Sequence, residues 1–355
     1  MRSICRLFLV GTGIAILVSL GFAQQSTSSG PYNVLKTARV GGDGGFDYIF
    51  ADADGRRLYV PRSGPMGQLT VYNLDTLAPV GTVPVKSGGA TVDPKSHHGF
   101  STTKPITMWD STMLQVIKTI NVDGSPDGIM FDPSTERVWV FSHTAPNATV
   151  IDAKGGTVVG TLDLGGEPEQ AASDGKGTIY VNISDKENVA VIDAKKLAVT
   201  AHYDLSSKKG ESGTGLSLDA KNHILFVYYR QPAPMVVIVN AANGKIIDTL
   251  TTGQFVDTVA FNPVTMEAIS ADGGGPVGTM TFIKENSPTS FTVEQTLKTM
   301  EGARTMTLDR KTGHLFTVTG DWAPPAPNAP PGPGGRPPRG PMIPGSFSIL
   351  MIGKS

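Results

Sequence analysis

Between Asp127 and Pro168 the chain alternates short apolar runs with polar breaks. The runs are GIMFD, RVWVFS, ATVID and TVVGTLDL, each bounded by Gly, Pro, Asp or Asn. Runs this short, rich in Val, Ile, Thr and aromatics and punctuated by turn formers, predict β-strands. Four strands in 42 residues is the period of a β-propeller blade. The pattern recurs at FDYIFADADGRRLYVPRS from Phe46, ATVDPKSHHGFSTT from Ala90 and AASDGKGTIYVNIS from Ala171. It returns at GLSLDAKNHILFVYYR from Gly215, TVAFNPVTMEAISAD from Thr258 and TMTLDRKTGHLFTVTGDW from Thr305. That makes seven repeats, with first strands ending 39–47 residues apart. No long stretch carries a helical apolar period.

The two ends of the chain complete the pattern. NVLKTARV, Asn33 to Val40, matches QVIKTINV, Gln115 to Val122, which is the fourth strand of the second repeat. The seventh repeat stops at SFSILMIG, Ser346 to Gly353, without a fourth strand. The chain is therefore expected to be all-β, a seven-bladed β-propeller whose last blade is closed by the N-terminal strand (3+1 closure). Asn33–Val40 should pair beside Ser346–Gly353, which would remove the open edge of the array.

Composition agrees with turn-rich β structure. Charged residues are 17% of the 355-residue chain, which also holds 42 Gly and 26 Pro, against the usual charged share of about 25%. Arg2 and Arg6 precede an apolar run, Leu7 to Ala23, with small residues at Gly21 and Ala23. This predicts a secretory signal peptide over 1–23, a flexible leader over 24–32 and the propeller over 33–355. The alternative is a retained anchor, since the run approaches the ~18–20 residues a span needs. With cleavage, the protein would be exported to the periplasm or the extracellular space, as a monomer with no transmembrane span. Cys5 is the single cysteine and lies in the segment removed. The exported chain would then have no disulfide, no Cys-ligated zinc, no Cys nucleophile and no C-x-x-C-H haem site. It would carry 28 basic and 31 acidic residues, a formal charge of −3, which does not suggest a phosphate-binding partner.

SPDGIMFDP, LYVPRS, IYVNIS and the two VIDA strings, Val150 to Ala153 and Val191 to Ala194, carry a resemblance. With them the exported chain resembles the YVTN-type, YncE-like β-propeller family. The resemblance implies the fold and says little about a ligand, because the matched positions are mostly structural. Relatives in that family make nucleic-acid binding an alternative.

In such a blade the first strand lines the central channel, and the loop before it shares a face with the loop between the second and third strands. Five residues before the Asp or Asn that ends each first strand stand Asp47, Gly88, Asp127, Glu169, Thr214, Asp257 and Arg304. Four carboxylates and an arginine should therefore meet at the channel mouth. Carboxylates this close raise one another's pKa or recruit a cation. Oxygen-only ligands would suit Ca²⁺ or Mg²⁺. The competing readings are a solvated acidic rim with Arg304 as counter-charge, and a cationic or polyol ligand. The second-to-third-strand loops should add Arg62, Lys104, His143, Lys186, Arg230, Asp272 and Asp321–Trp322, a more basic outer ring. Tyr228 and Tyr229 either stack a planar ligand beside Arg230 or pack between blades. Asn73, Asp110, Asp152, Asp193 and Asn240 end third strands and are expected to be turn formers.

The expected ligand-binding set is thus Asp47, Asp127, Glu169, Asp257, Arg304, Arg62, His143, Arg230 and Trp322, with no catalytic set. It favours a non-catalytic binding or scaffold protein whose partner is a protein, an envelope component or a small molecule. The alternatives are a divalent-cation-dependent lactonase or related hydrolase, and a nucleic-acid binder using Arg62, Lys104 and Arg230. The Pro/Gly-rich insertion Ala323 to Gly345 reads as a lid, a docking peptide or a tether.

Overall fold

A computed structural model describes residues 29–355 except 43, 65–66, 146, 331 and 333–337. The proposed signal peptide lies outside the described residues. Seven four-stranded antiparallel sheets follow one another along the chain. Blade 3 is the pattern for the rest: Pro126–Asp132, Arg137–Ser142, Ala148–Asp152 and Thr157–Leu162. Blade 7 consists of Met306–Leu308, Leu315–Thr319 and Ser348–Lys354, with Tyr32–Arg39 as its outer strand. The closing pair runs antiparallel from Tyr32 opposite Lys354 to Arg39 opposite Ser348. Among the described residues the one helical element is a 3₁₀ turn, Ser206–Lys208. No helix there is long and apolar enough to cross a membrane.

The Asp and Asn residues at strand ends act as the turn chemistry requires. The Asn73 side-chain oxygen accepts from the backbone N–H of Asp75 and Thr76, at 3.0 and 2.8 Å. Asp110 does the same for Thr112 and Met113, at 2.7 and 2.8 Å. Four residues after the Asx the backbone turns left-handed. Gly156 and Gly244 fill that position in two blades, but Leu77, Leu114 and Leu197 fill it in others. Packing supports the strained leucines. A Cβ on Gly81 of blade 1 would lie 2.9 Å from Leu114 of blade 2, and one on Gly160 of blade 3 would lie 2.7 Å from Leu197 of blade 4. Leu114 and Leu197 thus each fill a notch left by a glycine in the preceding blade's outer strand.

The hydrophobic core is distributed between blades rather than at the centre. Trp139, Phe141 and Val150 of blade 3 pack on Ile179, Val181 and Ile192 of blade 4. Phe316, Phe347 and Ile349 of blade 7 pack on Leu58, Val60 and Tyr72 of blade 1. Each interface needs the next blade, so the ring is complete only when its ends meet.

The first closing residue is more than a strand end. Tyr32 falls in the stretch expected as a flexible leader, yet it begins the strand and is 2% exposed. Its ring stacks on Phe282 of blade 6, with centroids 3.9 Å apart. Its hydroxyl donates to the buried Glu267 of the same blade. The other Glu267 oxygen accepts from Lys354 Nζ at 3.0 Å. Gln295 holds the Tyr32 backbone on both sides: Tyr32 N–H donates to Oε1 at 2.9 Å, and Nε2 donates to the Tyr32 carbonyl at 2.8 Å. Replacing Tyr32 with alanine should cost about 3–5 kcal/mol in denaturant unfolding, whereas Val34→Ala, on the exposed face of the same strand, should cost under about 1 kcal/mol. Equal losses would show that the clasp does not hold the ring shut.

Candidate functional site

The first strands enclose a channel of about 800 Å³, lined by residues such as Ile49, Val92, Ile129, Ala172, Leu218 and Phe261. Two side chains cross it at the level of the mouth. Tyr48 of blade 1 donates its hydroxyl to Glu169 Oε2 of blade 4 at 3.0 Å. Gln170 of blade 4 reaches blade 6, donating to the Val259 carbonyl at 2.8 Å and accepting from the Val259 N–H at 3.0 Å. Neither residue was singled out in the sequence. Each is the neighbour of a selected carboxylate, Asp47 or Glu169, and that adjacency is the one signal that would have pointed to them.

At the mouth the charged residues divide into two groups. In the first, Asp257 lies between two guanidinium groups. Arg304 donates from Nε to Asp257 Oδ2 at 2.7 Å, and Arg230 Nη2 donates to Oδ1. Arg304 also donates to the Phe46 carbonyl at 3.2 Å, and Arg230 to the Val256 carbonyl at 2.6 Å. These are largely buried, multiply satisfied pairs and hold three blades in register.

The second group holds Asp127, Glu169 and His143, and Asp47 lies between the two groups, interacting most strongly with Asp257 and Arg304 of the first. His143 Nε2 lies 3.5 Å from Asp127 Oδ2 and 3.4 Å from Glu169 Oε1. Burial, with the neighbouring Glu169, pushes the Asp127 carboxyl up to about 6 against the pull of His143. The Glu169 carboxylate facing it raises the His143 imidazole to about 9, despite partial burial. Burial and the nearby Asp257 hold the Asp47 carboxyl well above the ordinary carboxylate range, and Arg304 offsets this only in part. Asp127, His143 and Glu169 each offer a ligand atom within 4.8 Å of the others. The donor set available to a cation therefore includes a nitrogen, where the sequence pointed to oxygen alone.

Two arginines of the expected basic outer ring, Arg62 and Arg230, are turned into the protein. Arg62 is 4% exposed, and its guanidinium donates to the carbonyls of Gly41, Gly42 and Gly44 at 3.1–3.3 Å while covering the Phe347 ring. It props up the loop that enters blade 1. Arg230 lies within strand Ile224–Gln231, facing Asp257 rather than solvent. Lys104 donates to the Gly124 carbonyl at 2.7 Å. Asp272 is fully buried at a strand end, where it accepts from Thr281 Oγ1 at 2.7 Å and burial raises its carboxyl to about 7. Tyr228 and Tyr229 are buried in two different interfaces, so neither offers a stacking face. Local sequence marks a loop position but not whether nearby carbonyls will absorb its side chain.

Trp322 sits apart from the acidic residues. Its indole N–H points to the Glu301 carbonyl and Thr319 Oγ1, both at 3.3 Å, and Arg339 from the Pro-rich insertion stacks 4.9 Å from the ring. Arg339, which the sequence reading missed, donates to the Gly273 carbonyl of blade 6 at 3.2 Å. The base of the insertion is pinned further by Ala323 N–H to the Pro341 carbonyl and Gly340 N–H to the Ala323 carbonyl, both 2.9 Å.

No family model matches the chain. Protein YncE of Escherichia coli K12 is 28% identical over 151 residues, 39% of this chain and 41% of its own length. YncE of Salmonella typhi matches to the same extent. The aligned stretch thus spans about two-fifths of these relatives. By sequence the chain is similar to YncE, and by fold it is a seven-bladed β-propeller. Among solved structures, the WD40 repeats of RRP9 superpose with a TM-score of 0.68 at 11% identity, covering 93% of this chain and 99% of that one. Kuenenia stuttgartiensis hydrazine synthase superposes with a TM-score of 0.64 at 16% identity, covering 79% and 94%. At these identities the likeness concerns the fold alone.

The titrations of the second group set a pH dependence. Asp127 has its folded pKa raised from 3.8 to about 6, so its stabilising contribution is complete below 3.8 and lost as pH rises through 6. His143 is raised from 6.5 to about 9, so its contribution is complete below 6.5 and lost as pH rises through 9. Asp127→Asn should therefore unfold at a higher temperature than the parent at pH 7.5, with the advantage shrinking toward pH 4. A thermal melt series in chelator-treated buffer checks this. A variant less stable at pH 7.5 than at pH 4, relative to the parent, would contradict it.

Proposed function

We propose that this chain is an exported, non-catalytic binding propeller that takes a positively charged ligand at the channel mouth. The observation that supports this most is the division of charge there. Asp257 is already held by Arg230 and Arg304, while Asp127 and Glu169 both face the partly exposed His143, with Asp47 near enough to feel their charge. Two of those carboxyls hold protons more tightly than usual, and a group that prefers a proton there also gains from another cation. Export rests on the N-terminal pattern of Arg2, Arg6 and the apolar run to Ala23.

Two other readings meet this site differently. A nucleic-acid binder would draw on Arg62, Lys104 and Arg230, all of which make contacts within the protein. A divalent-cation-dependent hydrolase would use Asp127, His143 and Glu169 to hold its metal. Lactone hydrolysis that needs added metal and disappears in Glu169→Gln would establish that enzyme in place of a pure binder.

Thermal shift assays test the charge preference. Spermidine, lysine-rich peptides and divalent cations should each be compared with sulfate, phosphate and a single-stranded oligonucleotide. At saturating concentration at least one cation class should raise Tm by about 2–5 °C, and Glu169→Gln should abolish the rise. Stabilisation by the anions or the oligonucleotide instead would reject the proposal.

A further inference from the structure

We propose that Asp127, His143 and Glu169 form a binding site for a divalent cation of the zinc class. This deepens the cationic-ligand reading of the mouth and rests on it. Three different segments supply the ligands. Asp127 comes from the first strand of blade 3, His143 from the loop after that blade's second strand, and Glu169 from the first strand of blade 4.

The separations carry the inference. A charge-assisted hydrogen bond between imidazolium and carboxylate closes to about 2.7–2.9 Å. The two His143–carboxylate distances here are 3.5 and 3.4 Å, too long for good bonds of that kind and alike for both partners. A four-coordinate Zn²⁺ with bonds of about 2.1 Å has its ligand atoms about 3.4 Å apart. The imidazole nitrogen thus stands from each carboxylate as one tetrahedral ligand stands from the next. The two carboxylates lie on neighbouring blades, so the ring itself sets their spacing. Two carboxylates and a neutral imidazole would balance a divalent charge.

A partner outside the triad fixes one ligand. Tyr48 reaches across from blade 1 and donates to Glu169 Oε2, leaving Oε1 turned to His143. Carboxylate ligands are commonly oriented by such an outer hydrogen bond. His143 is 39% exposed, which provides an entry path and leaves a fourth position open to water or to a donor atom of a larger ligand. Ca²⁺ takes 6–8 oxygens and Mg²⁺ demands an octahedral set. The mixed nitrogen and oxygen triad favours Zn²⁺, or Co²⁺ as its spectroscopic stand-in.

The test uses the full exported chain without an affinity tag, stripped with chelator and titrated with Co²⁺ and Zn²⁺. The expected result is one equivalent bound, with a Kd of about 1 μM or tighter and the strong visible absorption of four-coordinate Co²⁺. His143→Gln and Glu169→Gln should each weaken binding at least tenfold, and Tyr48→Phe, which keeps the fold and all three ligands, about tenfold. Less than a tenth of an equivalent bound, or unchanged affinity in His143→Gln, would overturn the site. If metal binding fails while spermidine still protects the parent and not Glu169→Gln, the metal falls and the cationic-ligand reading stands. Loss of both responses would reject both.

Discussion

The structure depends on the pairing of Tyr32–Arg39 with Ser348–Lys354. Every blade buries its faces against two neighbours, so a ring with one unpaired edge would leave two interfaces half made. The ladder alone would be an ordinary antiparallel pair. What sets it apart is the buried contact at its start, where Tyr32 stacks on Phe282 and bonds Glu267 while Lys354 reaches the same carboxylate. Residues from the two ends of the chain thus converge on one acidic group of blade 6. Closure is therefore held by blade 6 as well as by blade 7.

That circle is also what creates the site. Asp47 and Glu169 belong to blades 1 and 4, more than a hundred residues apart in sequence, yet Tyr48 touches Glu169 and Asp47 feels the charge of Asp257, Asp127 and Glu169. The arginines hold Asp257 and partly offset Asp47, and they leave Asp127 and Glu169 as a compact acidic pair with one imidazole. The division follows from side-chain reach. Arg230 and Arg304 are long enough to meet at Asp257, and their backbone carbonyl partners hold them there. His143 is short and stands on a loop beside its own blade's first strand, so it meets Asp127 and Glu169.

The Pro-rich insertion is less independent of the ring than its composition implies. Arg339 is largely buried between Trp322 and the Gly273 carbonyl, close to Glu301. The insertion is thus anchored to the mouth face on the side of blades 6 and 7, away from the His143 group. Proline density describes how a segment moves when free. It does not show where a single arginine will tie it down.

Much of the architecture could be read from the chain. The strands, the Asx turns and the spare N-terminal strand are local patterns, and local patterns repeat wherever the backbone makes the same turn. The alignment of Asp47, Asp127, Glu169, Asp257 and Arg304 at one mouth followed from counting along equivalent strands. The fate of each side chain could not be counted. Arg62 and Arg230 found carbonyls and a carboxylate, Tyr228 and Tyr229 sank into separate interfaces, and Tyr48 and Gln170 crossed the channel to blades far off in sequence. A repeat in the chain dictates where a strand lies on the ring, because backbone geometry is shared by all blades. Which charge stays free depends on partners brought in by the closed circle, and no single repeat contains them.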